Sequence, residues 1–449
     1  MDHRNVVREI AWRELFPWLI LGRVFRLSIR PSFLAVALVG AVLTPIGWRL
    51  AEAVFRIHTE PQVMQLSVEK PELRPEAIRE ELQLAHEAQE LRRWPGDNHN
   101  MRADVMAAVS HPLQAASQRS PIVFVFDRVT SPLHHLYDSQ TPLRGFAFYL
   151  LGSLWTFAVW GLAGGIITRM AVMELGREEQ EGVQKSAKIA ARRWFDYFTA
   201  PLYPVLGTVL LALPAALVGL MLRVDVGTIA AGVLWIFILI DGAISALLVL
   251  WLIIGWPLMW PAISAEETGD AFEAMSRSFA FAFQRPLHYL FYATVAALLG
   301  FVAWSLVDFL CVLAIDTAHW SVSWGAGSQR VAELWHTPVP GSEVSDAAVP
   351  TTRRVGMGII FAIESILLAL SEAFAYSYFW VSAAAIYLLL RLHVDHTEFD
   401  EVWSADDTPR YPLPSLPPDE AGVPTVPVTS PTPAAEAAAS PPIENNQAE

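Results

Sequence analysis

EETGDAFEAMSRSFAFAFQRPLHYL, residues 266–290, decides how the rest of the chain is read. It is too polar to cross a bilayer and too apolar to leave one, and a proline closes it before a long apolar run. Asp270 is placed to cap a helix, with Glu273 three residues on as the second member of a capping box. Phe272, Met275, Phe279 and Phe283 recur at helical spacing on one side, and Glu273 and Arg277, four apart, make a favourably ordered ion pair on another. Pro286 cannot continue that helix but suits the first turn of a new one. The stretch predicts an interfacial amphipathic arm at 270–284 and then a helix that enters the membrane.

The pattern occurs twice more. At 183–198, Val183, Ala187, Trp194 and Phe198 make the apolar side, Lys185, Lys188 and Arg192 the basic one, and Pro201 opens the next run. At 12–30, Trp12, Leu15, Phe16 and Leu19 oppose Arg23, Arg26 and Arg30 ahead of Pro31. Offsetting 181–213 against 266–298 pairs Glu181 with Glu266, Arg192 with Arg277 and Pro201 with Pro286. A duplication read from this offset gives parallel repeats, because both units run in the same direction. The chain reads as three units of arm, proline, outgoing span and returning span.

Composition agrees. The 449 residues are 53% hydrophobic and 17% charged, with mean hydropathy +0.36, far from an average soluble domain. Seventeen tryptophans suit a bilayer interface, where one edge of the indole stays wet. The net charge of −14 collects after the first span and in the tail, and no basic field for nucleic acid exists. Cys311, the single cysteine, rules out an internal disulfide and thiolate metal sites. Six arginines lie in the first thirty residues without a convincing cleavage site, which reads as an uncleaved cytoplasmic start.

In order, residues 1–55 hold an interfacial helix and the first span, which reaches full length only if 49–55 extend it and Arg49 snorkels outward. Residues 56–145 form one small extracytoplasmic domain, with a solvated helix at 71–94 stopped by Pro95-Gly96 and PIVFVF (121–126) as a short strand or buried turn. Residues 146–392 make a five-helix membrane domain: spans at 146–168, 201–222 (interrupted by Pro204 and Pro214), 228–256, 286–314 and 357–390, and an outer loop at 316–354. Gly161 and Gly165 on the second span permit close approach of another helix. The cytoplasmic tail, 393–449, is rich in Pro, Ala and Ser and disordered from about 405. The expected fold is therefore an all-α integral membrane protein with about six transmembrane helices. Basic residues near the spans place both termini in the cytoplasm.

The candidate intramembrane polar site is Asp241, Glu364 and Glu372. An ionised carboxylate at mid-span is expensive, so Asp241 faces protein or water: either it relays a proton or cation, or it bonds a neighbouring helix and fixes packing. Glu364 and Ser371, seven apart, share a face of the last span, with Ser365 and Glu372 close by; anchored at Arg391, the span puts Glu364 at or beyond the outer surface and Glu372 in its outer part, and Asp308 reads as interfacial. Lys185, Lys188, Arg192, Arg23 and Arg26 are candidate contacts for anionic lipid headgroups. His134, His135 and Asp138, and His393, Asp395, His396 and Glu398, lack a structural zinc pattern, so no metal or other cofactor is expected. No catalytic motif appears, and no enzyme activity is expected.

At GREEQEGVQKSAKIAARRWFDYFTAPLYP, GWPLMWPAISAEETGDAFEAMSRSFAFAFQRPLHYLFY and YLLLRLHVDHTEFDEVW the chain resembles a group of polytopic membrane proteins of planctomycete-type bacteria. More distantly, the alternation of arm and span is similar to the membrane domains attached to glycerophosphodiester phosphodiesterases, without a catalytic domain. The nearer resemblance covers most of 10–402 and implies a multi-pass plasma-membrane protein with no assigned activity. The expected function is a non-catalytic membrane component that holds an envelope protein, a second copy or lipid. The alternative is a small-solute or ion transporter using Asp241 and Glu372.

Overall fold

The computed structural model describes residues 16–69, 75–97, 106, 110, 120–138, 141–335 and 350–404. Among them there is no strand, and six helices are long and apolar enough to cross a membrane. The protein is an all-α membrane protein. The described residues up to Val402 form one compact unit. The tail from 405, expected to be disordered, lies outside the described residues.

A short 3-10 turn leads into α1 (Leu21–Ser28) and α2 (Pro31–Phe55), followed by α3 (Glu60–Glu69), α4 (Pro75–Leu91) and α5 (Pro121–Tyr137). Next come α6 (Leu143–Val172), closed by a π-helical turn at Met173–Arg177, then α7 (Val183–Arg192), α8 (Trp194–Thr199), α9 (Leu202–Met221) and α10 (Asp225–Ala265). The last set is α11 (Ala271–Gln284), α12 (Pro286–Ala326), α13 (Ser328–Trp335) and α14 (Thr351–Val394). Each amphipathic arm precedes a helix opened by proline: Pro31 and Pro286 are first helical residues and Pro201 is the N-cap of α9. The arms mark one end of the unit, the arm end, and residues 57–69, 75–97 and α13 lie at the other, the far end.

The arms pack by different faces from those their bulky residues suggest. In α11 the covered side is Ala271, Ala274, Met275, Ser278, Phe281 and Ala282, while Phe272 is 66% exposed and Phe283 42%. Both sides are apolar, so periodicity finds the larger residues, whereas close approach to α10 selects the small ones. Ser278 Oγ lies 3.4 Å from where a Cβ on Gly255 would be. In α7 the covered residues are Ser186, Ile189 and Ala190. The first arm packs through Leu21, Val24, Leu27 and Ser28, leaving Phe16 and Leu19 exposed; Trp12 and Leu15 lie outside the described residues. Asp270 accepts the Glu273 N–H at 2.7 Å, but the Glu273 carboxylate turns to Arg277 instead of closing the capping box.

Several long helices run further than expected. Prolines 257 and 261 do not stop α10, which reaches Ala265, and α9 is continuous through Pro214. Pro257 and Pro261 are buried among neighbouring helices, which supply the packing that a proline-broken segment lacks alone. α12 continues to Ala326, so the far-end loop starts at 327, and α14 runs unbroken past Ser371. Residues 336–349 of that loop lie outside the described residues.

PIVFVF is neither strand nor turn but the start of α5. Pro121 takes the first helical position, and Val125, Val129 and Leu133 are buried among the long helices. Phe124 packs on Trp304 and Tyr376, and Phe126 on Trp256. Tertiary burial overrides the strand propensity of this β-branched and aromatic run.

The core lies where α6, α10 and α14 meet. Trp260 stacks on Trp380 at 4.2 Å and Trp160 on Tyr376 at 4.4 Å. Gly164 makes room: a Cβ there would sit 2.5 Å from the Trp260 ring. Gly161 and Gly165 receive α8, the second arm, with Phe198 N 3.5 Å and the Tyr197 ring 3.0 Å from their built Cβ positions. α9 and the first part of α10 stand apart: only 6% of the most apolar window of α10 is covered by protein, against 61% in α6.

Candidate functional site

At the far end, α4 lays Leu84, Ala88 and Leu91 against Trp48, Ala51, Phe148 and Tyr149. Arg92 pairs with Glu52 at 2.9 Å and Arg144 with Glu81 at 3.0 Å. Arg49 is exposed near the end of α2, and its guanidinium lies 4.3 Å from the centre of the Trp94 ring in the far-end segment. The segment then turns at Gly96, whose φ of +83° is open to glycine, and the Gly96 N–H donates to Glu372 Oε2 at 3.2 Å. Arg128 of α5 hydrogen-bonds the Tyr376 hydroxyl, with Glu372 and Arg93 acting on the same hydroxyl through their charges. One residue away, Ser371 donates to Asp308, and Trp304 Nε1 donates to Ser371 Oγ at 3.1 Å. Asp308 is buried between α12 and α14, at 1% exposure.

The three sequence candidates occupy different surroundings. Glu364 bonds His319 at 2.6 Å, and Trp335 of α13 donates to the same imidazole. Glu372 belongs to the seam just described. Asp241 lies two turns before Leu248, which packs against Gly207, so it is on the stripe of α10 turned to α9 and is half covered. Among the described residues it makes no hydrogen bond or ion pair. Glu372→Ala is expected to destabilise the protein by about 2 kcal/mol, the value of a hydrogen bond to a charged group. Asp241→Ala is expected to stay within about 0.5 kcal/mol. Thermal unfolding of the two variants in the same detergent checks this.

The second polar cluster, at the arm end, was not singled out in the sequence. Arg169 at the end of α6 is fully buried and bonds Glu181 Oε2 at 3.1 Å and Ser264 O at 2.8 Å. Ser264 Oγ also meets Thr168 and Tyr197, each at 2.8 Å, and burial raises the pKa of the Tyr197 phenol, keeping it neutral. Arg193, at the break between α7 and α8, donates to Ile263 O at 2.7 Å and Glu266 O at 2.9 Å, satisfying carbonyls at the end of α10. Glu266 forms an ion pair with Arg391 at 3.0 Å and accepts a hydrogen bond from the Tyr387 hydroxyl at 2.8 Å. Glu181 and Glu266, equivalent under the 85-residue offset, thus each bind the arginine at the end of a returning span. The signal was available: an arginine inside the apolar run 160–175.

Lys188, Arg192 and Arg26 are exposed, Lys185 is half-buried, and Arg23 is tied to Glu178 at 3.2 Å. His135 pairs with Glu87 at 3.1 Å and Asp395 with Arg277 at 3.6 Å. Among the described residues no group of three His, Cys, Asp or Glu could hold a metal ion. Compared with family models, curated proteins and solved structures, the chain matches none.

Proposed function

We propose that this chain is a non-catalytic, multi-pass component of a bacterial plasma membrane that holds protein or lipid partners, with its arms and both termini in the cytoplasm. The observation that carries it is the dispersal of the carboxylates. Glu364, Glu372 and Asp308 are each bound within the chain, and Asp241 stands on a separate helix pair. A relay needs neighbouring groups that exchange one proton or ion, and Asp241 and Glu372 share no partner.

Two further features support it. The α9–α10 pair exposes Leu210, Leu217, Ile229, Val233, Ile236 and Phe237, a long apolar flank open to lipid or to a partner helix. Six basic residues in 1–32 and six in 169–200, against Arg223 alone in the turn between α9 and α10, favour the cytoplasm for the arm end.

Affinity purification of the full chain in mild detergent, with and without Ile236→Asn and Val233→Asn on the open flank, tests the proposal. A stoichiometric envelope protein or second copy that the flank variants lose supports it. Proton or solute flux in liposomes that Asp241→Asn abolishes would overturn it in favour of transport.

A further inference from the structure

At its far end α14 is longer than a span needs. Counted from Arg391 at the arm end, about 20 residues of helix cover the ~30 Å of hydrocarbon, which brings the helix to Ser371. The polar far-end segment marks the same level, since Gly96 packs on Ser365 and Ala369 and donates to Glu372. Residues 351–366 therefore form a stem about 22 Å long that stands beyond the lipid.

The inner side of the stem is braced by polar contacts, Glu364 bonding His319 of α12, to which Trp335 of α13 also donates. Its outer side is apolar. Thr352, Val355, Ile359, Ala362 and Ile366 recur at alternating steps of three and four, and all are exposed. Val355 and Ile359 are each 57% exposed and Ile366 is 59%. The next members of the series, Ala369 and Ala373, are buried, so the open seam is confined to the stem. Arg353, Arg354 and Glu364 fall on the other side of the helix and are half-buried.

Lipid does not reach a face that stands beyond the hydrocarbon, and branched aliphatic side chains left in water are unfavourable. The pattern of the seam indicates what covers it. Alternating steps of three and four give the narrow seam of a coiled coil, not the broader stripe of a helix laid on a globular surface. β-Branched residues fill one whole set of its positions, Thr352, Ile359 and Ile366, as in two-stranded parallel coils. Two copies inserted in the same sense bring their stems together parallel, about a two-fold axis along the membrane normal, where each residue meets its own counterpart. No charged residue lies on the seam to repel its copy. The stem is already ordered as the continuation of α14 and held in the membrane, so pairing loses little of the freedom that makes an isolated helix of this length marginal.

We propose that the α14 stem is an interface between two copies of this chain, paired in parallel through Thr352, Val355, Ile359, Ala362 and Ile366 on the far side of the membrane. The assignment rests on the membrane-component reading above and names a second copy as the partner held there.

Disulfide cross-linking of the full chain in its own membranes reads the geometry. After Cys311→Ala, single cysteines at Ile359→Cys or Ile366→Cys, oxidised with copper phenanthroline, are expected to give at least about fivefold more linked dimer than Ile360→Cys, which is exposed but turned off the seam. Ile359→Asn with Ile366→Asn should convert the dimer to monomer in native mass spectrometry from mild detergent, while Val233→Asn with Ile236→Asn on α10 should leave it intact. Helix content shows whether the stem variant is folded; if it is not, the cross-links alone decide. Linkage at 359 and 366 no stronger than at 360, a dimer that the folded stem variant retains, or a different protein joined to position 359 would overturn the assignment. Absent stem cross-links leave capture of a partner by the α9–α10 flank untouched, and flux abolished by Asp241→Asn would remove the component reading without altering the cross-links, so the two failures are distinct.

Discussion

Glu181→Ala is expected to lower the unfolding free energy by about 3–5 kcal/mol, the largest effect of any single charge removal in the chain. The Arg169 side chain is fully buried and Glu181 is 2% exposed, so neither can recover its lost partner in water. Removing the carboxylate leaves a guanidinium in the packed junction of α6, the second arm and the end of α10. Arg169→Leu with Glu181→Leu removes both charges and should restore most of the loss, because replacing a buried pair with apolar residues is often neutral. Thermal or denaturant unfolding in one detergent measures both. A Glu181→Ala variant within about 1 kcal/mol of the parent would show that the arm does not lock onto α6 through this pair.

Gly96→Val is the second large effect, and it acts on one region. A Cβ at Gly96 would lie 2.1 Å from Ser365 O and 2.7 Å from Ala369 N, both backbone atoms of α14 that cannot swing aside. The left-handed φ adds about 1–2 kcal/mol for a residue with a side chain. Displacing the turn also breaks the hydrogen bond from Gly96 to Glu372, worth about 1.5–3 kcal/mol. Together these exceed about 3 kcal/mol and fall on the docking of 75–97. Hydrogen exchange should therefore rise across α4 and the Gly96 turn while α7, α8 and α11 keep their protection. Gly219→Ala, with open space around its Cβ position, should be neutral or slightly stabilising. Unchanged exchange at α4 in Gly96→Val would mean that the far-end segment does not rest on α14.

The arms and the prolines after them were legible because both signals are local: an amphipathic period, then an imino acid that can only open a helix. The face each arm packs was not. Phe272 and Phe283 dominate the pattern, yet Ala271, Ala274 and Ser278 make the contact, since in an apolar surrounding small residues decide which helices approach. α5 was missed because Ile122, Val123 and Val125 favour strands in water, and Pro132 looks like a breaker; burial between α6, α12 and α14 reverses both indications. Glu372 could be picked out as an intramembrane carboxylate, but its partner at Gly96 is 276 residues away and carries no side chain to notice. Asp241 drew attention for its cost in lipid, and it proved to stand on the pair of helices that touches the rest least.

The central claim is that the three arms share one side of the membrane and the 57–97 segment and α13 the other. After Cys311→Ala, single cysteines at Lys188→Cys and Glu267→Cys mark the arm end, and at Gln83→Cys and Arg330→Cys the far end; all four positions are exposed. A membrane-impermeant maleimide added to sealed cells and to inverted vesicles should label the first pair only in the vesicles and the second only in the cells. Reaction of positions 188 and 330 from the same side would contradict the layout on which the proposed function depends.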